Sequence, residues 1–204
     1  MVNLISAPHL KPQATHDIRM AQRLPGDLAV WLVIMAELLA FAILFLSYAF
    51  ARAQDVELFN ASQRTLDASK GALNTLLLIS GSWCVVRAVQ AVSRDARSAG
   101  VGWLVGAQAC GAGFIGLKLT EYAAKIEAGI DLSTNTFYMF YILLTGFHFF
   151  HVIAAMVILG ILTVKTWQGA YGSHDVHALE TGAAFWHMVD LLWIVLFPLM
   201  YVMR

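Results

Sequence analysis

Charge is scarce in this 204-residue chain: Asp, Glu, Lys and Arg make up 13% of it, against roughly 25% in a typical soluble protein. With 59% hydrophobic residues and a mean hydropathy of +0.69, too little polar surface remains to wrap a water-soluble domain of this size. An excess of one charge sign is also missing. Thirteen basic side chains balance thirteen acidic ones, so no field draws DNA or RNA, and a nucleic-acid partner is excluded. Cysteine occurs only as Cys84 and Cys110, each inside an apolar run and in no Cys-x-x-Cys pair. That removes disulfide scaffolds and cysteine-based zinc sites. Internal repeats and low-complexity tracts are absent as well. What is left is an integral membrane protein.

A spanning helix needs about 20 mostly apolar residues. Five stretches qualify, at about 28–50, 72–92, 101–123, 137–164 and 181–203. They show no alternation and are about twice the length of a barrel strand. The expected fold is therefore all-α, a five-transmembrane-helix bundle over 26–204, preceded by a polar N-terminal tail over 1–25 that carries Pro8, Pro12 and Pro25. Ala49-Phe50-Ala51 and Ala51-Arg52-Ala53 resemble leader-cleavage sites, but the run before them is long for a leader and holds Glu37. Two linkers, 51–71 and 165–180, are too short for an extramembrane domain. With the N-terminus cytoplasmic, the inner segments hold Lys11, Arg19, Arg23, Arg87, Arg94, Arg97 and Lys165, seven in all. The outer segments hold five: Arg52, Arg64, Lys70, Lys125 and Arg204. The positive-inside rule thus favours a cytoplasmic N-terminus and a C-terminus on the opposite side.

In the third span Gly102, Gly106, Ala109, Gly113 and Gly116 recur at steps of four, three, four and three. Such a stripe of small residues is expected to let helix backbones approach closely. Asn74, early in the second span, is expected to make an interhelical hydrogen bond.

The informative residues are ionisable groups inside apolar runs. A charge at the bilayer centre costs at least ~2.5–3.5 kcal/mol, so such groups face protein or trapped water and tend to mark function. Glu37 lies mid-helix with no basic residue within a turn, and reads as a buried protonatable group. Lys118, Glu121, Tyr122 and Lys125 share one face of the third span. Snorkelling to the interface explains Lys125, whereas Glu121 lies deeper and is expected to meet a histidine across the bundle. His148 and His151 are about 60° apart on the fourth helix, and Glu180, His187 and Asp190 lie on one side of the fifth. Glu121, His148, His151, Glu180, His187 and Asp190 are therefore expected to form an intramembrane polar network. A di-metal site is the competing reading, but it normally repeats Glu-x-x-His on two helices, a pattern missing here. No metal and no catalytic residue is assigned.

These residues carry a resemblance. Thr145-Gly146-Phe147-His148-x-x-His151-Val152 and Trp186-His187-x-x-Asp190-x-x-Trp193 resemble signatures in the last two helices of subunit III of haem-copper oxidases. Glu37, Leu73-Asn74-Thr75, Glu121-Tyr122 and Glu180 fit in the same order, so the likeness runs from Gly26 to Tyr201. Five helices correspond to the last five of the seven in mitochondrial-type subunits. The stretches Ala72–Leu78 and Leu132-Ser133-Thr134-Asn135 look most like the branch associated with nitric oxide reductases. One departure is Ala36, where a hydroxyl residue often precedes the glutamate.

The resemblance implies a non-catalytic subunit in the bacterial cytoplasmic (inner) membrane. It would flank the catalytic subunit of a terminal oxidase or nitric oxide reductase, bind phospholipid, and support proton uptake and stability. Haem and copper or iron would lie in partner subunits. The residues agree: a copper entry centre needs a cysteine pair near histidines, and only three histidines lie within the spans. The alternatives are a membrane metalloenzyme built on the His/carboxylate cluster and a small proton transporter using Glu37.

Overall fold

The computed structural model describes residues 28–173 and 175–203; the expected tail over 1–25 lies outside them. Helix α1 runs Leu28–Gln54, α2 Val56–Gln63, α3 Ala68–Val92, α4 Arg97–Glu127, α5 Thr136–Gln168 and α6 His177–Phe197, which passes into a π turn, Pro198–Val202. Five of these elements are long and apolar enough to cross a membrane: α1, α3, α4, α5, and α6 with its π turn. Among the described residues there is no strand, only an isolated bridge between Gly172 and Asp175.

The helices run up to four residues past the apolar stretches; polar side chains cap the starts of α3 and α5, whereas α4 and α6 begin without a side-chain cap. The Asn135 side chain accepts from Tyr138 N at 2.9 Å to start α5. At its other end Gly169 takes φ +83°, and Ala170 N donates back to Lys165 O at 3.0 Å. Any side chain at Gly169 would also strike the Arg97 guanidinium, 2.7 Å from where a Cβ would sit. The expected 51–71 linker is largely helical. Asp55 accepts from Leu58 N at the start of α2, and Asp67 from Ser69 N and Lys70 N at the start of α3. Between them Phe59, Ser62 and Gln63 are buried.

Pro198 has no amide hydrogen, and the helix widens there: Met203 N donates to Pro198 O at 2.9 Å, five residues back. The carbonyls of this turn are used by distant side chains. Tyr48 OH donates to Leu199 O at 3.2 Å, and Gln63 Nε2 donates to Leu199 O and Met200 O at 3.0 and 3.2 Å.

Helix α6 with its π turn forms the centre, with half of its apolar window buried, against 11% for α1. Helix α1 buries Ile34, Phe41 and Tyr48, spaced by seven residues, with Val30, Leu38, Leu44, Phe45 and Ala51 partly buried against the core beside them. Within this chain only part of the stripe of small residues meets protein. Gly102, Ala109 and Gly116 are exposed, and a Cβ at Gly102 or Gly116 would meet nothing within 4 Å. Gly106 and Gly113 do face α3, at Cys84 and Leu77. The closest approaches lie elsewhere. Gly111 sits against Met156 and Trp186, Gly81 against Trp186, and Gly182 against Leu162 and Ile158. Small residues permit close approach, but the side of α4 that meets protein is decided by where Trp186 and Met156 need room.

Candidate functional site

The interior polar side chains gather at three places. The first joins α4, α5 and the π turn. Lys118 is fully buried, and its ammonium donates to Glu121 Oε2 at 3.0 Å, Tyr141 OH at 3.2 Å and Tyr201 OH at 2.8 Å. All three of its hydrogens are thereby used. Glu121 Oε1 accepts in turn from Tyr141 OH at 2.6 Å and Tyr201 OH at 2.7 Å. The rings of Tyr122, Tyr141, Trp193 and Tyr201 lie 4.9–5.5 Å from Lys118 Nζ, a box whose π faces favour a cation. Glu121 therefore meets a lysine and two tyrosines rather than a histidine. Beside it Tyr122 OH donates to Thr145 Oγ1 at 3.0 Å, tying α4 to α5.

The second place joins α3 to α6 around Ser82. Its hydroxyl donates to Asp190 Oδ2 at 2.7 Å and accepts from Trp186 Nε1 at 3.1 Å, with His187 Nδ1 at 3.2 Å. Two turns earlier on α3, Thr75 Oγ1 accepts from Trp193 Nε1 at 3.0 Å. Glu180 stands apart from this cluster. With His187, Val86, Val89, Gln90, Ala183 and Ala184 it lines an open groove of about 380 Å³.

The third place joins α1 to α5: His151 Nε2 lies 3.1 Å from Glu37 Oε2, flanked by the rings of Phe41 and Phe147. His148, one turn earlier, does not join it. Its ring is fully buried, tilted over Trp193 at 5.2 Å and edge-on to Phe114 at 5.7 Å, and neither nitrogen has a hydrogen-bond partner. Asn74 is also fully buried with both amide atoms unpartnered, so the expected interhelical hydrogen bond is not made by it; Thr75 makes one instead.

The six residues expected in one network are thus distributed. His187 and Asp190 meet at Ser82, His151 meets Glu37, Glu121 joins Lys118, and His148 and Glu180 join none of these. Among the described residues, no three His, Cys, Asp or Glu side chains converge as metal ligands would. Sequence reasoning missed Ser82, Tyr141 and Tyr201. A serine or tyrosine carries no formal charge, so neither stands out in an apolar run. The signal available was their position at interhelical levels, legible only once the helices are registered. Between α4 and α5, Tyr122, Lys125, Ile126, Ile130, Tyr141, Ile142 and Gly146 line an apolar cavity of about 220 Å³.

Thr145 and His151 of α5 and Trp186, His187, Asp190 and Trp193 of α6 therefore tie helices together, and comparison with known proteins identifies the group that shares these signatures. Residues 13–204 match the family described as Cytochrome c oxidase subunit III. The chain belongs to that family. It is 30% identical over 177 residues to Cytochrome c oxidase subunit 3 of Thermostichus vulcanus, covering 86% of each chain. It is 24% identical to Cytochrome bo(3) ubiquinol oxidase subunit 3 of Pseudomonas aeruginosa, over 85% of this chain and 82% of that one. A third relative, Heme-copper oxidase subunit I+III of Aeropyrum pernix, is 27% identical over 85% of this chain. The match occupies 22% of that longer protein. As in subunit III generally, the chain is an integral membrane protein, with five helices able to span the bilayer.

Proposed function

We propose that this chain is a non-catalytic subunit beside the catalytic subunit of a haem-copper respiratory complex. One observation carries the reading: the family match extends over residues 13–204, and among the described residues Glu121, His151, His187 and Asp190 tie helices together rather than gathering as metal ligands would. A relative in which subunits I and III form one chain supports the same neighbour. Haem, and copper or iron, belong in this reading to the partner subunits, and this chain turns over neither oxygen nor nitric oxide alone.

Three finer elements belong to the proposal. The apolar cavity between α4 and α5, with Lys125 at its rim, suits a phospholipid acyl chain below an anionic headgroup. Glu37 serves as a protonatable carboxyl within the spans and supports proton uptake by the complex. The Ala72–Leu78 and Leu132–Asn135 stretches favour the branch associated with nitric oxide reductases, with a cytoplasmic N-terminus.

The test is purification of a tagged chain in mild detergent. A haem-containing catalytic chain is expected to co-elute, and the type of haem then separates an oxidase from a nitric oxide reductase. The subunit freed of that partner is expected to show no haem absorption and no turnover. Stoichiometric metal with reductase activity in the freed subunit would overturn the reading.

A further inference from the structure

The geometry points to a site for an anionic phospholipid headgroup at Arg87, on the outer face of α3 where it adjoins α4. The Arg87 guanidinium lies 5.9 Å from the ring centroid of Trp83, one turn earlier on α3, and 5.6 Å from that of Trp103 on α4. The two indoles meet edge to face, 5.0 Å apart. Their π systems favour a cation and brace its planar fork beside the span, and tryptophan is the residue that settles at headgroup level. Arg87 is exposed, five residues before α3 ends at Val92. Among the described residues no carboxylate pairs with it: the ion pairs join Lys118 to Glu121 and His151 to Glu37. Asp95, the acid of the α3–α4 turn, accepts from Ser173 N at 2.8 Å, and Glu180 lies along the other flank of α3, in the groove with Val86 and Val89. A charge at the edge of the hydrocarbon with no counter-charge in its own chain needs one from outside.

The rest of this face has the two parts that a lipid has. Arg94, also exposed, follows Arg87 by seven residues, two turns on and on the same side. At 1.5 Å per residue their backbones are about 10 Å apart, close enough for two arginine side chains to converge on one phosphate. In the other direction Trp83, Ile79 and Leu76, at 56%, 46% and 62% exposure, carry an uncovered apolar ridge from Arg87 towards the middle of the span. A phosphate offers the guanidinium fork two oxygens, and an acyl chain covers the ridge without a shape-matched surface. A zwitterionic headgroup brings its own cation, so unpaired arginines select lipids of net negative charge. The site is separate from the α4–α5 cavity and does not rest on it: Lys125 lies at the opposite end of α4.

The full chain, with any catalytic partner that co-purifies, is placed in phosphatidylcholine nanodiscs. Dibrominated phosphatidylglycerol, or dibrominated phosphatidylcholine as the zwitterionic comparison, is titrated in. Bromine quenches tryptophan on contact, and the difference from Trp83→Phe isolates that ring. Half-maximal quenching of Trp83 is expected at a mole fraction of phosphatidylglycerol about five-fold lower for each arginine engaged. Arg87→Gln is expected to remove about five-fold of this preference, and Arg87→Gln/Arg94→Gln all of it. Arg87→Lys, which keeps the charge but not the stacked fork, should lose less than Arg87→Gln. Lys125→Gln should leave the quenching of Trp83 as it is. Equal quenching by the two lipids in the wild type overturns the site, as does a preference that survives the double variant. A loss in Lys125→Gln equal to that in Arg87→Gln overturns it too, by showing a general surface field. Protection of Trp83 from both lipids while a partner is bound also overturns it, and gives this face to protein. None of these failures touches the reading of the chain as a non-catalytic subunit, which stands on co-elution of a haem-containing partner.

Discussion

Replacing Lys118 by Met is expected to destabilise the bundle by about 3–5 kcal/mol, the cost of stranding one member of a buried ion pair. The structure puts the change at the upper end of what a single side chain can do. Lys118 is fully buried, Glu121 is 5% exposed, and the ammonium spends its three hydrogens on one carboxylate and two phenols. Met keeps the length and apolar stem, so packing against Trp193 and Tyr122 survives and the loss reports electrostatics. Glu121 would retain its two tyrosine donors but no counter-charge. Removing both charges, as Lys118→Met/Glu121→Leu, should recover most of the loss, since paired buried ions replaced by apolar groups of similar volume are often neutral. The assay is reversible unfolding in mixed micelles followed by tryptophan fluorescence, with the coupling taken from the double-mutant cycle. Single variants that cost less than about 1 kcal/mol, or a double variant as unstable as the two singles summed, would refute the account.

Two further predictions address packing and pH. Gly182→Leu and Gly111→Leu push side chains into Leu162 and into Met156 with Trp186, and should each cost roughly 1–3 kcal/mol in the same unfolding assay. Gly116→Leu, facing open space, should leave stability unchanged, and an equal loss there would restore the stripe as a seam. In the α4–α5 loop, hydrogen bonds from the hydroxyls of Ser133 and Thr134 and from Ser133 N hold the Asp131 carboxyl below the usual carboxylate range. A lowered value means that this ordering is present above the unfolded carboxylate's value, near 3.9, and is lost as pH falls through the lower folded one. Amide exchange at Ser133 should therefore rise, beyond its intrinsic pH dependence, in acid for the wild type. For Asp131→Asn it should be raised already at neutral pH.

The five spans were legible because apolar length is a property of the chain alone, whereas partners depend on how helices are registered. Glu37, Glu121, His151, His187 and Asp190 were visible as misfits in hydrocarbon. Their companions were not. Tyr201 lies 80 positions from Glu121, at a helix end where aromatics are expected in any membrane protein. The small-residue stripe of α4 divides between protein and open surface for a related reason. Periodicity shows that five small residues share a face, but which face meets protein depends on Met156 and Trp186 crowding Gly111 from other helices. Asn74 and Thr75 make the point at the scale of one residue: both are polar and adjacent, and Thr75 is the one that Trp193 reaches.

The hydrogen bond from Tyr48 to the Leu199 carbonyl joins positions 151 apart. Synthesis runs from α1 toward the π turn, so the carbonyl that Tyr48 reaches is translated long after the helix it fastens. Until then α1 waits in the bilayer without that tie, open to capture by insertion factors or a neighbouring chain.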